Sequence, residues 1–156
     1  MQLRTYALIL GAVTLFSSAC AQTKRTVVKS GASIARVIKA TSERILPGRS
    51  ESAPITNYRI TLQWRSALKP TAFFWRPQEG WMQCLVVKSG GSEEEVAPEA
   101  IKKMQTVDIV PVSDADRTPI PAFVKATDKN KLYIQVGNAW YSIPVKLTKK
   151  QDVVTP

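Results

Sequence analysis

The sequence predicts a mainly β protein whose body is an antiparallel β-sandwich or a small barrel. About seven short runs between residues 55 and 150 combine β-branched and aromatic residues with turn residues at their ends. Several of these runs alternate apolar and polar residues with a period of two rather than a helical period. Many short strands separated by Gly- and Pro-containing turns are typical of a sandwich or a small barrel.

An apolar leader opens the chain. Arg4 is its single charge, and a largely apolar run from Tyr6 to Phe16 is followed by the small residues Ser17 to Ala19. This order is that of a secretory signal peptide, and the run is shorter than the ~20 residues that a membrane-spanning helix needs. We therefore expect residues 1–21 to be a signal peptide and the mature protein to be extracytoplasmic, either secreted or periplasmic.

Two cleavage patterns overlap at the end of this leader. Ala19-Cys20-Ala21 fits the small-residue rule of ordinary signal peptidase, which leaves Gln22 as the new N-terminus. Ser18-Ala19-Cys20 resembles a bacterial lipobox, whose cysteine receives a lipid, although Ser17 stands where that pattern usually has Leu. The small-residue rule favours the free form, and Cys20 is the candidate lipidation residue of the lipid-anchored alternative.

Residues 22–54 are predicted to be a basic segment and linker that contains an amphipathic helix. Such a helix would lie on a membrane, dock on a partner or pack on its own domain, and a disordered tether is the other interpretation. Pro47 to Pro54 is typical of a linker. The apolar residues that recur at helical spacing are Ile34, Val37, Ile38 and Ile45.

The β domain is predicted over residues 55–150, with a flexible tail at 151–156. The run from Trp81 to Lys88 is apolar on both faces, which predicts a central strand. Pro111 predicts an edge strand or a bulge in the run that contains it, and a short helix is expected from Pro98 to Met104. The apolar side chains that alternate in the first strand are Tyr58, Ile60, Leu62 and Trp64.

Turn residues predict two hairpins, at Pro77 to Gly80 and at Gly137-Asn138. A further strand is expected from Ile120 to Ala126. An immunoglobulin-like sandwich is the commonest architecture of this size, although the paired cysteines of antibody domains are absent. The turn at Gly137-Asn138 sets a register in which the opposed pairs are Ile134 with Tyr141, and Gln135 with Trp140.

The chain is strongly basic, with 22 Lys and Arg, 12 Asp and Glu, and a net charge of +10. This charge suits a partner that is an acidic protein or an anionic envelope component, such as a lipid headgroup or an acidic polysaccharide. Nucleic acid is not expected as the partner of an exported protein. A basic surface without a specific partner explains the composition equally well, because net charge governs nonspecific attraction rather than a site.

The chain contains no histidine, which excludes Ser-His and Cys-His nucleophile activation and imidazole metal sites. Loop carboxylates are usually solvated, so we expect no catalytic residue, no metal site and no cofactor. A small carboxylate-dependent hydrolase is the remote alternative. The acidic residues in expected loops are Glu93, Glu94, Glu95, Glu99, Asp114 and Asp116.

Cys84 is left without an intramolecular partner whether Cys20 is removed or lipidated. An unpaired cysteine in an exported protein is a reactive thiol, an intermolecular bridge or a small buried hydrophobe. The neighbours Met82 and Leu85 to Val87 favour the buried hydrophobe.

Aromatic residues concentrate in the two predicted hairpins. Phe73, Phe74 and Trp75 are adjacent, so by the alternation of a strand they cannot all enter one core. Either a second layer covers the outer face, for which the N-terminal helix is a candidate, or an exposed patch marks a ligand or partner site. Core and interlayer packing are the alternative to that patch. The residues predicted for the contact surface are Trp75, Arg76, Trp81, Tyr133 and Trp140.

Together these features predict an exported, non-enzymatic binding or interaction module of the cell envelope. A membrane-attached structural accessory, held by a lipid on Cys20 or by the basic segment, is the alternative. The identity of the partner and the oligomeric state do not follow from the sequence.

Overall fold

A computed structural model describes residues 25–48, 53–112 and 119–155. Several predicted features lie outside these ranges: the signal peptide, Cys20 with its two cleavage patterns, residues 49–52 of the linker, and residues 113–118 with Asp114 and Asp116. The strands among the described residues are β1 (Val28–Ser30), β2 (Ala35–Pro47), β3 (Ile55–Trp64), β4 (Ala72–Arg76), β5 (Met82–Lys88), β6 (Thr106–Pro111), β7 (Lys131–Val136), β8 (Ala139–Pro144), β9 (Thr148–Lys149) and β10 (Val153–Thr155).

The mainly β class is confirmed, and all of these strands belong to one open, mixed sheet. Hydrogen-bonded neighbours follow the order β1-β8-β7-β4-β5-β6-β3-β2-β10, and β9 pairs with β2 beside that path. β1 is parallel to β8, and both β9 and β10 are parallel to β2. The described strands form no second sheet, so the predicted two-sheet sandwich is not confirmed.

The sheet curls around an apolar core on one of its faces, which we call the inner face. β3 and β4 are separated by β6 and β5, a distance of roughly 14 Å along a flat sheet. Nevertheless the ring centroids of Tyr58 and Trp75 are 5.6 Å apart, and those of Trp64 and Phe73 are 6.4 Å apart. The largest fully buried side chains of this core are Trp64, Trp75, Phe73, Ile60, Leu62, Ile101, Ile109, Leu132, Ile134 and Val107.

A tight turn also brings the two ends of the sheet together. β1 lies at one end of the strand order and β2 near the other, yet only the 3-10 turn Gly31–Ser33 and Ile34 connect them. Gly31 is buried, and a Cβ atom at this position would lie 2.5 Å from Cγ1 of Ile143 on β8. Such a short link between distant strands requires that the sheet be curled.

β2 overturns the prediction of an amphipathic helix in the N-terminal segment. Residues 35–47 form an extended strand that pairs with β3 along its length. The register shifts between Val37 and Lys39, which leaves Ile38 as the extra residue of a β-bulge. The inward-facing residues on either side of the bulge, Val37 and Ala40, are therefore three positions apart and imitate helical spacing. Residues 28–47 belong to the sheet rather than to a linker.

Two further stretches differ from their predictions. The expected tail contains β10, which pairs in parallel with Ile45–Pro47 of β2. The expected strand at residues 120–126 instead forms turns, in which the backbone N–H of Val124 donates to the carbonyl of Pro121. Pro121 in this stretch and Pro119 directly before it lack the N–H donors that a sheet ladder needs, which disfavours a strand here.

Two predictions about proline positions are also corrected. Pro111 is the last residue of β6, and β6 lies between β5 and β3 rather than at an edge. Pro98 opens a helical turn as expected, but this turn is a 3-10 helix that ends at Ala100 instead of continuing to Met104.

The hairpin predictions are confirmed. β4 and β5 are joined through the turn that ends at Gly80, whose φ of 87° favours glycine. β7 and β8 pair with Ile134 opposite Tyr141 and Gln135 opposite Trp140. β5 occupies the middle of the strand order, as its two apolar faces indicate.

Candidate ligand-binding cleft

The contact surface predicted from the aromatic residues is mostly inside the molecule. Trp75 belongs to the core on the inner face and is fully buried, while Trp81 and Tyr133 are buried on the opposite, outer face. Arg76 is 6% exposed and donates from Nη1 to the carbonyl of Gly80 at 2.7 Å. Of the predicted set only Trp140 is partly exposed. The prediction of an exposed patch made of these side chains is therefore wrong.

Residues 121–128 provide the second layer that covers the outer face, in place of the expected N-terminal helix. Phe123 lies 4.8 Å from Trp140 between ring centroids and 6.5 Å from Trp81. Trp81 stacks on Phe74 at 5.2 Å and contacts Tyr133 at 4.9 Å. Because residues 120–126 were predicted as a strand of the sheet, their apolar side chains were not assigned to a covering layer.

Asp128 fixes that loop to β7. Tyr133 Oη donates to Asp128 Oδ2 at 2.9 Å, and Lys131 Nζ donates to Oδ1 of the same carboxylate at 2.5 Å. The hydrogen bond from Lys131 lowers the pKa of Asp128. Burial, and then the hydrogen bond to Asp128, raise the pKa of Tyr133. The three residues thus hold the loop in place.

The carboxylates considered for hydrolysis do not converge on a site in the described part of the chain. The side chains of Glu93 and Glu94 are 94% and 62% exposed, and Glu94 forms an ion pair with Lys88 at 2.5 Å. The buried Asp108 accepts from Arg59 and from Thr61, at 3.0 and 2.8 Å. Within the described ranges no group of three His, Cys, Asp or Glu residues is arranged as a metal site would require.

A polar cleft opens where several strands end together, at one end of the curled sheet. The end of β2, the start of β3, the β4–β5 turn and the start of β7 meet there, together with the segment that carries β9. The cleft has a volume of about 440 Å³, which lies in the range of small-molecule sites. We call it the end cleft, and its lining residues are Ser42, Arg44, Thr56, Tyr58, Gln78, Asn130, Leu147, Lys149, Lys150 and Asp152.

Strand register explains why these side chains share a face. Ser42 pairs with Tyr58 and Arg44 pairs with Thr56, and paired residues point to the same side of a sheet. On the other edge of β2, Ser42 pairs with Lys149 of β9. Arg44 lies two positions after Ser42 and therefore on the same face of β2 as the residue that pairs with Lys149. The parallel pairing of Val153 with Ile45 places Asp152 beside Arg44 as well.

The end cleft carries an excess of positive charge. Neither Arg44 nor Lys149 forms an ion pair in the part of the chain that the structure describes. Lys150 lies 3.7 Å from Glu43 and is half exposed, so that contact neutralises it only weakly. Asp152 is the acidic residue of the lining. The lining therefore has more cations than acids, and two of its cations form no ion pair within the described ranges.

Polar uncharged groups and one ring complete the lining. Asn130 has a φ of 51°, and its side-chain Oδ1 is buried without a hydrogen-bond partner among the described residues. Tyr58 is half-buried and packs against the inner-face core. A second cleft of about 580 Å³ adjoins this one and shares Thr56, Tyr58 and Gln78 with it.

Sequence reasoning missed most of this cleft. Lys149 and Asp152 fall in a stretch where no strand was predicted, and Arg44 lies in the segment that was predicted to contain a helix. The signal that could have found Arg44 is its spacing of two from Ser42, which places both on one side of a strand.

Cys84 is buried and unpaired within the described ranges, as predicted. Its Sγ donates weakly to the carbonyl of Met82 at 3.8 Å. Burial raises the pKa of this thiol, which makes it a poor nucleophile in the folded protein.

Comparisons with protein-family models, curated proteins and solved structures gave no match to this chain. In the described ranges no helix has the length and apolar character that crossing a membrane requires.

Proposed function

We propose that the mature chain is an exported, non-enzymatic binding module that receives an anionic group of its ligand in the end cleft. The observation that carries this proposal is the pair Arg44 and Lys149, two cations of the cleft lining that form no ion pair in the described part of the chain. The leader supports the exported location. The partner is an acidic protein or an anionic envelope component.

Electrostatics favours an anion over other ligands at this position. Two like charges on neighbouring positions of a sheet repel each other, and an anion between them replaces repulsion with attraction. Hydrogen bonds between charged partners are roughly twice as strong as those between neutral groups. The cleft also has walls on several sides, which separates it from an ordinary basic surface.

A membrane-attached structural accessory is the second candidate, and the packing of the aromatic residues favours it. Trp75, Trp81 and Tyr133 stabilise the interior instead of presenting a contact surface. Under this interpretation Cys20 carries a lipid and the β domain is a stable folded domain without a ligand-binding role. We interpret the curled sheet of that domain as a small, partly open barrel.

Binding is tested by comparing two double variants, each of which neutralises two cations. Arg44→Gln/Lys149→Gln removes the cleft cations, and Arg36→Gln/Lys39→Gln removes two exposed cations of β2 that lie outside the cleft lining. Titration with citrate, followed by amide chemical shifts, should perturb residues around Ser42 and Thr56 in the wild type and in the control variant. We expect the cleft variant to lose these shifts, and equal shifts in both variants would contradict the proposal.

Export and lipidation are tested together by the intact mass of the mature protein from membrane and soluble fractions. A mass that begins at Gln22 in the soluble fraction supports the free form. A mass that begins at Cys20 with an added lipid supports the anchored accessory, and an uncleaved chain in the cytoplasm contradicts both.

A further inference from the structure

We propose that the ligand of the end cleft is an acidic carbohydrate, with its carboxylate between Arg44 and Lys149. This inference rests on the proposed function, because it assigns a chemical class to the anion that the cleft receives. The argument comes from the uncharged part of the lining, which a simple anion would not use.

The lining supplies both hydrogen-bond donors and hydrogen-bond acceptors beside the two cations. Ser42 and Thr56 carry hydroxyl groups, each of which donates and accepts, and Gln78 and Asn130 carry carboxamides. A small carboxylate has no donor at neutral pH, and inorganic phosphate has only one or two hydroxyl groups, so neither can engage all of the acceptors. A sugar that carries a carboxylate offers several hydroxyl donors and one anionic acceptor, which matches this mixture.

Asn130 provides the most specific element of this match. Its Oδ1 has no partner in the described part of the chain, although an unsatisfied buried acceptor is unfavourable. Meanwhile its backbone carbonyl accepts from the N–H of Val145 at 2.8 Å, which holds the main chain in place. Rotation of the carboxamide about its last torsion presents the acceptor to a ligand hydroxyl without moving the main chain.

Tyr58 adds a ring to the cleft. It is half-buried, with its centroid 5.6 Å from that of Trp75, so contact with the core fixes its orientation. A fixed ring offers a flat apolar surface to the C–H groups of a sugar, and burial of those groups is favourable. The adjoining cleft, which shares Tyr58 and Gln78, gives a chain of sugar units space to continue.

The test compares three probes on the full mature chain: galacturonate oligomers, the methyl esters of the same oligomers, and inorganic phosphate. We expect the galacturonate oligomers to bind at least roughly tenfold more tightly than either of the other probes, because only they use both the cations and the polar lining. Affinities are measured by calorimetry at constant ionic strength, because attraction between exposed charges weakens as the salt concentration rises.

Two variants isolate the polar lining from the cations. Asn130→Gly keeps a residue that accepts positive φ, and Gln78→Ala changes an exposed loop residue, so we expect both variants to fold. Together they should weaken galacturonate binding about tenfold and weaken phosphate binding much less, because phosphate has fewer hydroxyl groups to engage them. If Asn130 and Gln78 only maintain the structure of the cleft, the two substitutions would weaken the binding of both probes equally.

The possible outcomes separate this inference from the proposed function. If phosphate binds as tightly as galacturonate, the carbohydrate assignment is wrong and the basic cleft stands. If the methyl esters bind as tightly as the acids, the carboxylate does not lie between Arg44 and Lys149, and the acidic part of the assignment is wrong. If vesicles containing phosphatidylglycerol bind through Arg44 and Lys149 and galacturonate does not, the anion belongs to a lipid headgroup. If Arg44→Gln/Lys149→Gln binds every anionic probe like the wild type, both proposals fail.

Discussion

Cys84 illustrates how burial sets the chemistry of a single side chain. It lies on the inner face opposite Phe73 of β4, among side chains that offer the thiolate no stabilising charge. Burial therefore raises the pKa of the thiol, and the folded protein keeps its proton at alkaline pH. The unfolded chain loses that proton near the ordinary thiol pKa of about 8.5. The contribution of this group to stability is thus fully present below that pH and declines as the pH rises above it.

We predict that the free energy of unfolding of the wild type falls by about 2 kcal/mol more than that of Cys84→Ala between pH 7 and pH 10. Urea unfolding at a series of pH values measures this difference, and Cys84→Ala supplies the control because lysines and tyrosines titrate equally in both proteins. Parallel pH profiles would show that the thiol ionises equally in the folded and unfolded states. A thiol reagent should label Cys84 only when denaturant is added.

Cys84 also shows which properties of a residue were predictable from its neighbours. Its apolar flanks in β5 were enough to predict burial, because a strand that is apolar on both faces lies inside a sheet. Trp81 could not be predicted in the same way, because the residues that cover it, Phe123 and Val124, are about forty positions away in a loop without periodicity. Alternation indicates the face on which a side chain lies, but not whether that face is covered.

The turn between β1 and β2 determines whether the ends of the sheet can meet. Gly31 directly follows β1, which pairs with β8, and begins the turn that leads to β2. The space that a side chain at this position would need is occupied by Ile143. An added methyl group would have to displace Ile143 or move the turn away from β8. Either response disturbs the contact on which the curl of the sheet depends.

We predict that Gly31→Ala lowers the free energy of unfolding by about 1–3 kcal/mol, the usual cost of overpacking. Ala32→Gly is the matched control, because Ala32 is the exposed next residue of the same turn and its loss should cost less than about 1 kcal/mol. Chemical denaturation measures both variants. Equal stability of Gly31→Ala and the wild type would indicate that β1 is not packed against β8 through this residue.

β2 shows how one local irregularity can mislead the assignment of a whole element. The bulge at Ile38 changes the spacing of inward-facing residues from two to three, and the stretch then resembles a helix to any count of apolar positions. The β-branched character of Ile34, Val37, Ile38 and Ile45 was the opposing signal. The hairpins at Gly80 and Gly137 were predictable because their turn residues act locally, within two to four positions.

In the molecule as a whole, the end cleft is a property of topology. Ser42 and Lys149 are far apart in the sequence and become neighbours only because β9 pairs in parallel with β2. Parallel pairing of such short segments leaves no periodic signal, since two residues do not define an alternation. The leader and the overall charge predict an exported protein with a basic surface, but the position of the end cleft depends on contacts that only the folded chain makes.

The same topology predicts where the molecule can be cut. A fragment of residues 55–150, the domain expected from the sequence, lacks β2 and therefore the strand that pairs with β3 from Ile55 to Trp64. It also lacks Ala35 and Ala40, which are buried on the inner face beside Trp64 and Ile60. Exposure of those apolar side chains and of an unpaired strand edge favours aggregation over folding. A fragment of residues 25–156 keeps all of the described strands.

We predict that the 25–156 fragment unfolds cooperatively in urea and that the 55–150 fragment shows no cooperative transition. Circular dichroism and the dispersion of amide resonances distinguish the two, with size-exclusion chromatography to detect aggregates. A monomeric 55–150 fragment with the stability of the longer one would mean that β2 is an appendage of the sheet, and the end cleft would then lack its fixed wall. Loss of folding on removal of β2 would instead show that the fold depends on β2, the strand that carries Arg44. A binding site that is built on such an element is held more precisely than one on a loop.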